Sequence, residues 1–209
     1  MIQATPHLRP GILLSVNQLE LEMILYIKNM VCDRCIMVVR QQLENFGFTV
    51  GPVTLGQATI RPDAGAQQLN RIASAFKVLG FELIDSEKER LIERIKNSII
   101  EKVHYGDLTD THINFSNYLS DELNKDYAYL SRAFSDKEDI TIEKFIIQQK
   151  IEKVKELLAY GGLNLNEIAW KMGYSSSAHL SAQFKQTAGM TPSQFKISEQ
   201  RQRKALDKI

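Results

Sequence analysis

The stretch Leu165–Lys196, LNEIAWKMGYSSSAHLSAQFKQTAGMTPSQFK, decides how the second half of the chain is read. Asn164 just before it and Glu167 inside it are spaced as a helix N-cap and its reciprocal partner. Gly173 stands where the chain must turn through the left-handed region between LNEIAWKM and SSSAHLSAQFK. In the second segment Leu180 and Phe184 lie four apart on an inner face, which leaves Ser176, Ser177, Ala178, Ser181, Ala182 and Lys185 nearer the outer one. Thr191, Pro192 and Gln194 then supply a capping box with proline at the first helical position. The pattern predicts a helix-turn-helix closed by a third helix.

Upstream, TIEKFIIQQKIEKVKELLAY (141–160) carries Ile142, Phe145, Ile146, Ile151, Val154, Leu157 and Leu158, enough to bury more than one side and form a spine between two small helical units. Before it, DYAYLSRAF (126–134) starts on Asp126 as an N-cap and turns Tyr127, Ala128, Ser131 and Arg132 outward. ERLIERIKNSIIEKV (89–103) sets Leu91, Ile95, Ile99 and Val103 along one stripe, within a connecting helix expected over 86–105. Trp170 is expected to pack against the spine, and His179, next to Leu180, to pack or to face a phosphate. Charge separates sharply: residues 101–143 hold 4 basic against 10 acidic side chains, and residues 144–209 hold 11 against 5. The overall +1 therefore hides a dipole whose basic end is where a nucleic-acid surface would lie.

In order and spacing, DYAYLSRAF, FIIQQKIEKVKELL and the stretch quoted first, with its closing Gly189, Thr191, Pro192 and Phe195, resemble the DNA-binding domain of the AraC family of bacterial transcription regulators. The resemblance spans about residues 113–196. It implies two helix-turn-helix units whose recognition helices enter successive major-groove faces on one side of the duplex. Ile168, Ala169, Gly173, Tyr174, Leu180, Phe184, Lys185 and Gly189 match the family's signature positions, most of them packing or turn residues. Of the outward residues, the serines can bond bases or phosphates, and Ala178 and Ala182 can meet a thymine methyl. Lys185 suits a phosphate and Arg132 a guanine edge. Two positions depart from the pattern: relatives often carry a basic residue where Ala182 stands and an arginine where Lys150 stands. The acidic first unit is repelled by phosphates, so docking is expected to depend on the second.

The first half follows a different rule. LEMILYIKNM (21–30) alternates as a strand, and CIMVVRQQLENFGF (35–48) puts Ile36, Val39, Leu43 and Phe46 on one helical face. FTVGPVTL (48–55) and QATIRP (57–62) read as strands joined through Leu55, Gly56 and Gln57. AQQLNRIASAFKVLG (66–80) repeats the helical face at Leu69, Ile72, Ala73 and Phe76, and FELID (81–85) closes with a strand. The order is that of a split βαβ, ferredoxin-like domain.

Cys32 and Cys35 are the only cysteines. A separation of three would arise by chance about 1% of the time in a chain of this length. The pair falls between a strand and a helix start, where two thiols can converge on one ion and helix-end amides favour thiolates. With the strand order, Leu19–Asp85 resembles the heavy-metal-associated domain, whose Met-x-Cys-x-x-Cys loop holds soft ions such as Cu(I). Met30 matches that family's methionine, a packing residue under the loop, and Phe81 falls in the late loop near the metal. Asn29 stands where the family usually has glycine. A closed zinc site wants four ligands, yet His7, His104, His112 and His179 are all distant in sequence. Two-coordinate thiolate ligation suits Cu(I). A thioredoxin-like redox pair is an alternative, although CDRC lacks that family's Trp-Cys-Gly-Pro-Cys surroundings. A third is a pair of thiols retained by the fold without a ligand.

With 209 residues, 44% hydrophobic and 24% charged, the composition is globular and excludes disordered and collagen-like classes. No apolar run approaches the roughly 20 residues of a membrane span, and Met1–Asn17 lacks a secretory-signal pattern, so a cytoplasmic setting is expected. No Ser/His/Asp triad signature, Walker loop, Gly-x-Gly-x-x-Gly fingerprint or paired-carboxylate motif points to an enzyme. The reading is α+β: a disordered extension (1–18), a ferredoxin-like domain (19–85), the connecting helix, an all-α double helix-turn-helix domain (106–198) and a basic tail (199–209). The function expected is a sequence-specific DNA-binding transcription regulator responsive to a soft metal at Cys32 and Cys35. Double-stranded DNA is its partner, with RNA polymerase and a second copy of the chain as further candidates and no membrane. Alternatives are a soft-metal carrier with a helical docking module and a thiol-redox-responsive regulator.

Overall fold

A computed structural model describes residues 21–109, 114–198 and 203–209; the extension expected at 1–18 and the start of the tail lie outside the described residues. Strand β1 (Met23–Lys28), helix α1 (Asp33–Asn45), strands β2 (Thr49–Thr54) and β3 (Gln57–Arg61), helix α2 (Ala66–Val78) and strand β4 (Glu82–Ile84) follow one another as the periodicity predicts. They form one antiparallel sheet in the order β2-β3-β1-β4, with Leu25 opposite Ala58 and Ile27 opposite Leu83. Leu25 and Ile27 are buried while Ile24, just before them, is exposed and Tyr26 between them is half-buried, the period-2 alternation of a sheet covered on one face. Val39 and Leu43 of α1, and Ile72 and Phe76 of α2, complete that core. This is the ferredoxin-like order expected.

The rest is helical. Helix α3 (Glu87–Ile100) continues as a π-helical turn, Glu101–Tyr105. Then come α4 (Phe115–Leu123), α5 (Tyr127–Glu138), α6 (Ile142–Tyr160), α7 (Leu165–Lys171), α8 (Ser177–Ala188), α9 (Pro192–Ile197) and a 3-10 turn, Leu206–Lys208. The helix expected as a connector is a wall of the helical core: Leu91, Ile95, Ile99 and Val103 share one buried cluster with Leu119, Phe134, Phe145 and Phe184. Its side toward the sheet buries Glu93 and Asn97 as well. α3 therefore belongs to the packing of both halves. Gly56, at φ +85°, lets the β2–β3 turn approach α3: a Cβ there would stand 2.3 Å from Asn97 Nδ2.

Helix α6 is the spine. It buries Ile142, Phe145, Ile151 and Val154, and also Gln149, Glu152 and Lys155. These polar groups are paired, as burial requires. His104 Nε2 and Gln149 Oε1 are 2.9 Å apart; Lys155 Nζ reaches Glu152 Oε1 at 2.6 Å, and Glu152 Oε2 accepts the Lys204 backbone N–H at 3.0 Å. Residues 203–209 are thus not a free basic tail. Arg203 pairs with Glu156 at 2.8 Å, and Leu206 and Ile209 pack on the helical core. Among the described residues no helix is long and apolar enough to cross a membrane.

Candidate nucleic-acid interface and thiol loop

The second helix-turn-helix unit is built from its caps inward. The Asn164 side chain accepts N–H bonds from Asn166 and Glu167, and the Asn164 N–H in turn donates to Glu167 Oε2 at 2.7 Å. α7 then turns Ile168 and Ala169 to the core, so Trp170, the next residue around, points away and is 60% exposed. Its expected packing on the spine is corrected: one short helix has one inner face, and its neighbours occupy it. Lys150 of α6 closes this helix, donating to the Met172 carbonyl at 3.0 Å while its ammonium lies over Tyr174. Burial lowers its pKa. Gly173, at φ +66°, makes the turn into α8.

On α8, Leu180 and Phe184 are fully buried, as expected, and the outer face divides by the use of its side chains. Ala178, Ala182 and Lys185 are exposed, four and then three residues apart, and line one stripe. Ser176 is exposed but serves as the N-cap, accepting the His179 N–H at 3.1 Å. Ser177 and Ser181 are half-buried, and the Ser181 hydroxyl donates to the Ser177 carbonyl at 2.8 Å. The serine hydroxyls are thus partly engaged with their own helix. His179 is exposed, edge-on to Tyr174 and 3.2 Å from the Ser175 hydroxyl. Gln186, seven residues further along α8, is also exposed. The net +6 of residues 144–209 overstates the basic footprint. Lys153 and Arg203 pair with Glu156, Lys155 with Glu152, and Lys150 is turned inward. Lys171, Lys185 and Lys196 stay exposed on α7, α8 and α9.

The first unit differs. Asp126 caps α5 through the Ala128 and Tyr129 N–H groups. Ala128 and Arg132 are exposed, Ser131 is half-buried, and Tyr127 is half-buried with its hydroxyl donating to Glu143. The outward placement of Tyr127 is thereby corrected: the start of α6 supplies an acceptor that holds it. Arg132 lies in an open groove beside Asp136, Tyr129 and the start of α3, Glu87 and Lys88. Ion pairs Lys96–Glu138 at 2.5 Å and Lys137–Glu89 at 2.7 Å join α5 to α3.

The thiols sit at the other end of α3. Cys32 is the extended N-cap residue of α1 and Cys35 lies in its first turn, both half-buried, with sulfurs 3.5 Å apart. That spacing is within the span of two metal–sulfur bonds of about 2.3 Å. Among the described residues no group of three or more His, Cys, Asp or Glu side chains could hold a metal, so the donor set here is the two thiols. Burial raises the Cys35 pKa and a hydrogen bond with Cys32 adds to it, against a lowering hydrogen bond with the Val31 backbone. The expected helix-end stabilisation of a thiolate is therefore outweighed at Cys35. Met30 is fully buried beneath the loop, and Phe81 packs edge-on to Phe76. Asn29 takes the glycine-like conformation at φ +70°, its Nδ2 donating to the Gly80 carbonyl at 2.9 Å. Its backbone N–H donates to Glu93 Oε1 at 2.9 Å. Burial, the largest influence, raises the Glu93 pKa.

Residues 119–197 match a family described as a helix-turn-helix domain. The Msm operon regulatory protein of Streptococcus mutans is 30% identical over 80 residues, 38% of this chain and 29% of that protein; the chain thus spans less than a third of this curated relative's length. Among solved structures, the C-terminal domain of AraT, a response regulator from Geobacillus stearothermophilus, is 27% identical with a TM-score of 0.45, covering 55% of this chain and 93% of that one. The C-terminal domain of the two-component response regulator yesN from Fusobacterium nucleatum is 29% identical with a TM-score of 0.43, covering 53% and 99%. Residues 119–197 of the helical half therefore carry a helix-turn-helix domain.

Proposed function

We propose that the chain is a sequence-specific DNA-binding transcription regulator that docks through α8 and takes a soft metal ion, Cu(I) first, at Cys32 and Cys35. The carrying observation is the exposed stripe Ala178, Ala182 and Lys185 on the second helix of a helix-turn-helix unit that lies within the matched segment. Small side chains let a helix enter the major groove closely, where Ala178 and Ala182 can meet thymine methyls, while Lys171, Lys185 and Lys196 take phosphates. Ala128, Ser131 and Arg132 of the acidic α5 contribute a weaker second contact, with Arg132 the base reader. The two thiols suit a two-coordinate soft ion and leave out zinc's four-ligand site. To change DNA occupancy about tenfold, the ion must bind the DNA-competent state about 1.4 kcal/mol more tightly than the other.

The 3.5 Å sulfur separation also favours a second reading, in which an oxidant closes the pair as a disulfide and the regulator answers to redox state. The carrier alternative is disfavoured by the family match of the helical half. Duplex binding followed by fluorescence anisotropy across a salt series tests the DNA reading. Affinity should fall log-linearly with salt, and Ala182→Glu, at an exposed position, should weaken it about tenfold or more. Salt-insensitive binding, or an Ala182→Glu variant that binds like the parent, would refute docking through α8.

A further inference from the structure

We propose that Glu93 and the strap Tyr105–Leu108 couple the Cys32–Cys35 loop to the second helix-turn-helix unit, so that the state of the thiols sets how α8 meets DNA. The inference rests on the regulator reading above and adds the route. Two side chains from one continuous helical segment hold the loop on either side of Met30: Glu93 Oε1 accepts the Asn29 N–H at 2.9 Å, and the Tyr105 hydroxyl donates to the Val31 carbonyl at 3.0 Å. The loop also lies directly on the helical core. Asn29 and Val31 share with Lys96, Ile100 and Phe145 a gap of only about 10 Å³, so Val31 has little room to move without displacing them.

Beyond Tyr105, the strap reaches the turn of the DNA-reading unit. The Leu108 carbonyl stands where a Cβ on Gly173 would approach it to 2.9 Å, and Gly173 is the left-handed turn between α7 and α8. From the thiol loop to that turn the connection is one hydrogen bond, residues 105–108, and one backbone contact. Val31 immediately precedes Cys32. An ion held by both sulfurs would bear on the Val31–Cys32 peptide, whose carbonyl Tyr105 holds. Tyr105 is a positioning residue in this scheme.

The same contacts would carry a change at the Gly173 turn back to the loop, so DNA bound at α8 is expected to alter thiol access even without metal. The test is the rate at which a chromogenic disulfide reagent labels the thiols of metal-free, full-length protein, alone and with mixed-sequence duplex at low salt that saturates each variant. Duplex should change the wild-type rate about fivefold or more and the Tyr105→Phe rate less than about twofold. Glu93→Gln, which keeps an acceptor for the Asn29 N–H, should respond like wild type, and Glu93→Ala should respond less. In parallel, one equivalent of Cu(I) should shift wild-type DNA affinity but not that of Tyr105→Phe, which still holds Cu(I) as tightly. A wild-type labelling rate that ignores DNA, or a Tyr105→Phe variant with the full response, overturns the proposal. A labelling response without any Cu(I) effect on DNA affinity supports the coupling and refutes only the metal reading.

Discussion

Asn29 shows how one residue's backbone can be read from its neighbours' chemistry. The sequence marked it as a departure from glycine, and the structure gives it glycine's conformation at φ +70°. Asn29→Ala should cost about 1–2 kcal/mol, because a β-carbon without a compensating polar group is strained there, whereas Asn29→Gly should stay within about 0.5 kcal/mol. Chemical denaturation of the two variants checks the difference. His104 was legible only as one of four scattered histidines, since its burial depends on α6 and on Gln149, which is 45 residues away in sequence. Burial holds its pKa at about 4 instead of 6.5, with Lys153, Glu156 and Arg203 facing it. The unfolded chain then takes up a proton that the folded one refuses. His104's contribution to stability is full above pH 6.5, falls as the pH drops toward 4, and levels off below that. Thermal unfolding across this window should show a steeper decline in the parent than in His104→Gln.

At the scale of elements, local signals carried well. Asn164 with Glu167, Thr191 with Gln194, and Asp126 all form the caps their spacing predicts, because a cap is decided within four residues. Asp126→Ala should cost about 1 kcal/mol by denaturant unfolding and weaken the first unit without altering the sheet domain. Contacts between elements were less legible. The periodicity of α3 showed one apolar stripe, but Ile92 and Ile100 widen it on the helical core, and Glu93 and Asn97 are buried on the side toward the sheet domain. The α8 stripe was inferred from the positions of Leu180 and Phe184, but not the serines' bonds to their own helix. Gly173→Ala tests the turn that sets α8: with φ +66° and a backbone oxygen 2.9 Å from the new Cβ, it should lose about 2 kcal/mol or more and bind duplex weakly.

For the whole molecule, formal charge was readable but its availability was not. A composition cannot tell a lysine paired along α6 from one facing solvent; on α7, α8 and α9 Lys171, Lys185 and Lys196 face solvent, and the proposed docking gives them the phosphates. Log affinity against log salt should therefore slope at about −3, and a slope near −6 would mean that the four engaged cations, Lys150, Lys153, Lys155 and Arg203, open onto DNA. The two halves also share α3, which fixes the thiol loop at one side while its other side lines the helical core. The account's central claim is that a soft ion at the Cys32–Cys35 loop changes how the chain binds DNA. Its most direct test is the Kd for duplex DNA of reduced protein with and without one equivalent of Cu(I), measured beside Cys32→Ser/Cys35→Ser. The account predicts a change of about fivefold or more in the parent and none in the double variant, whose metal-free Kd stays at the parent's value. An unchanged parent Kd, or an equal shift in the double variant, would contradict it.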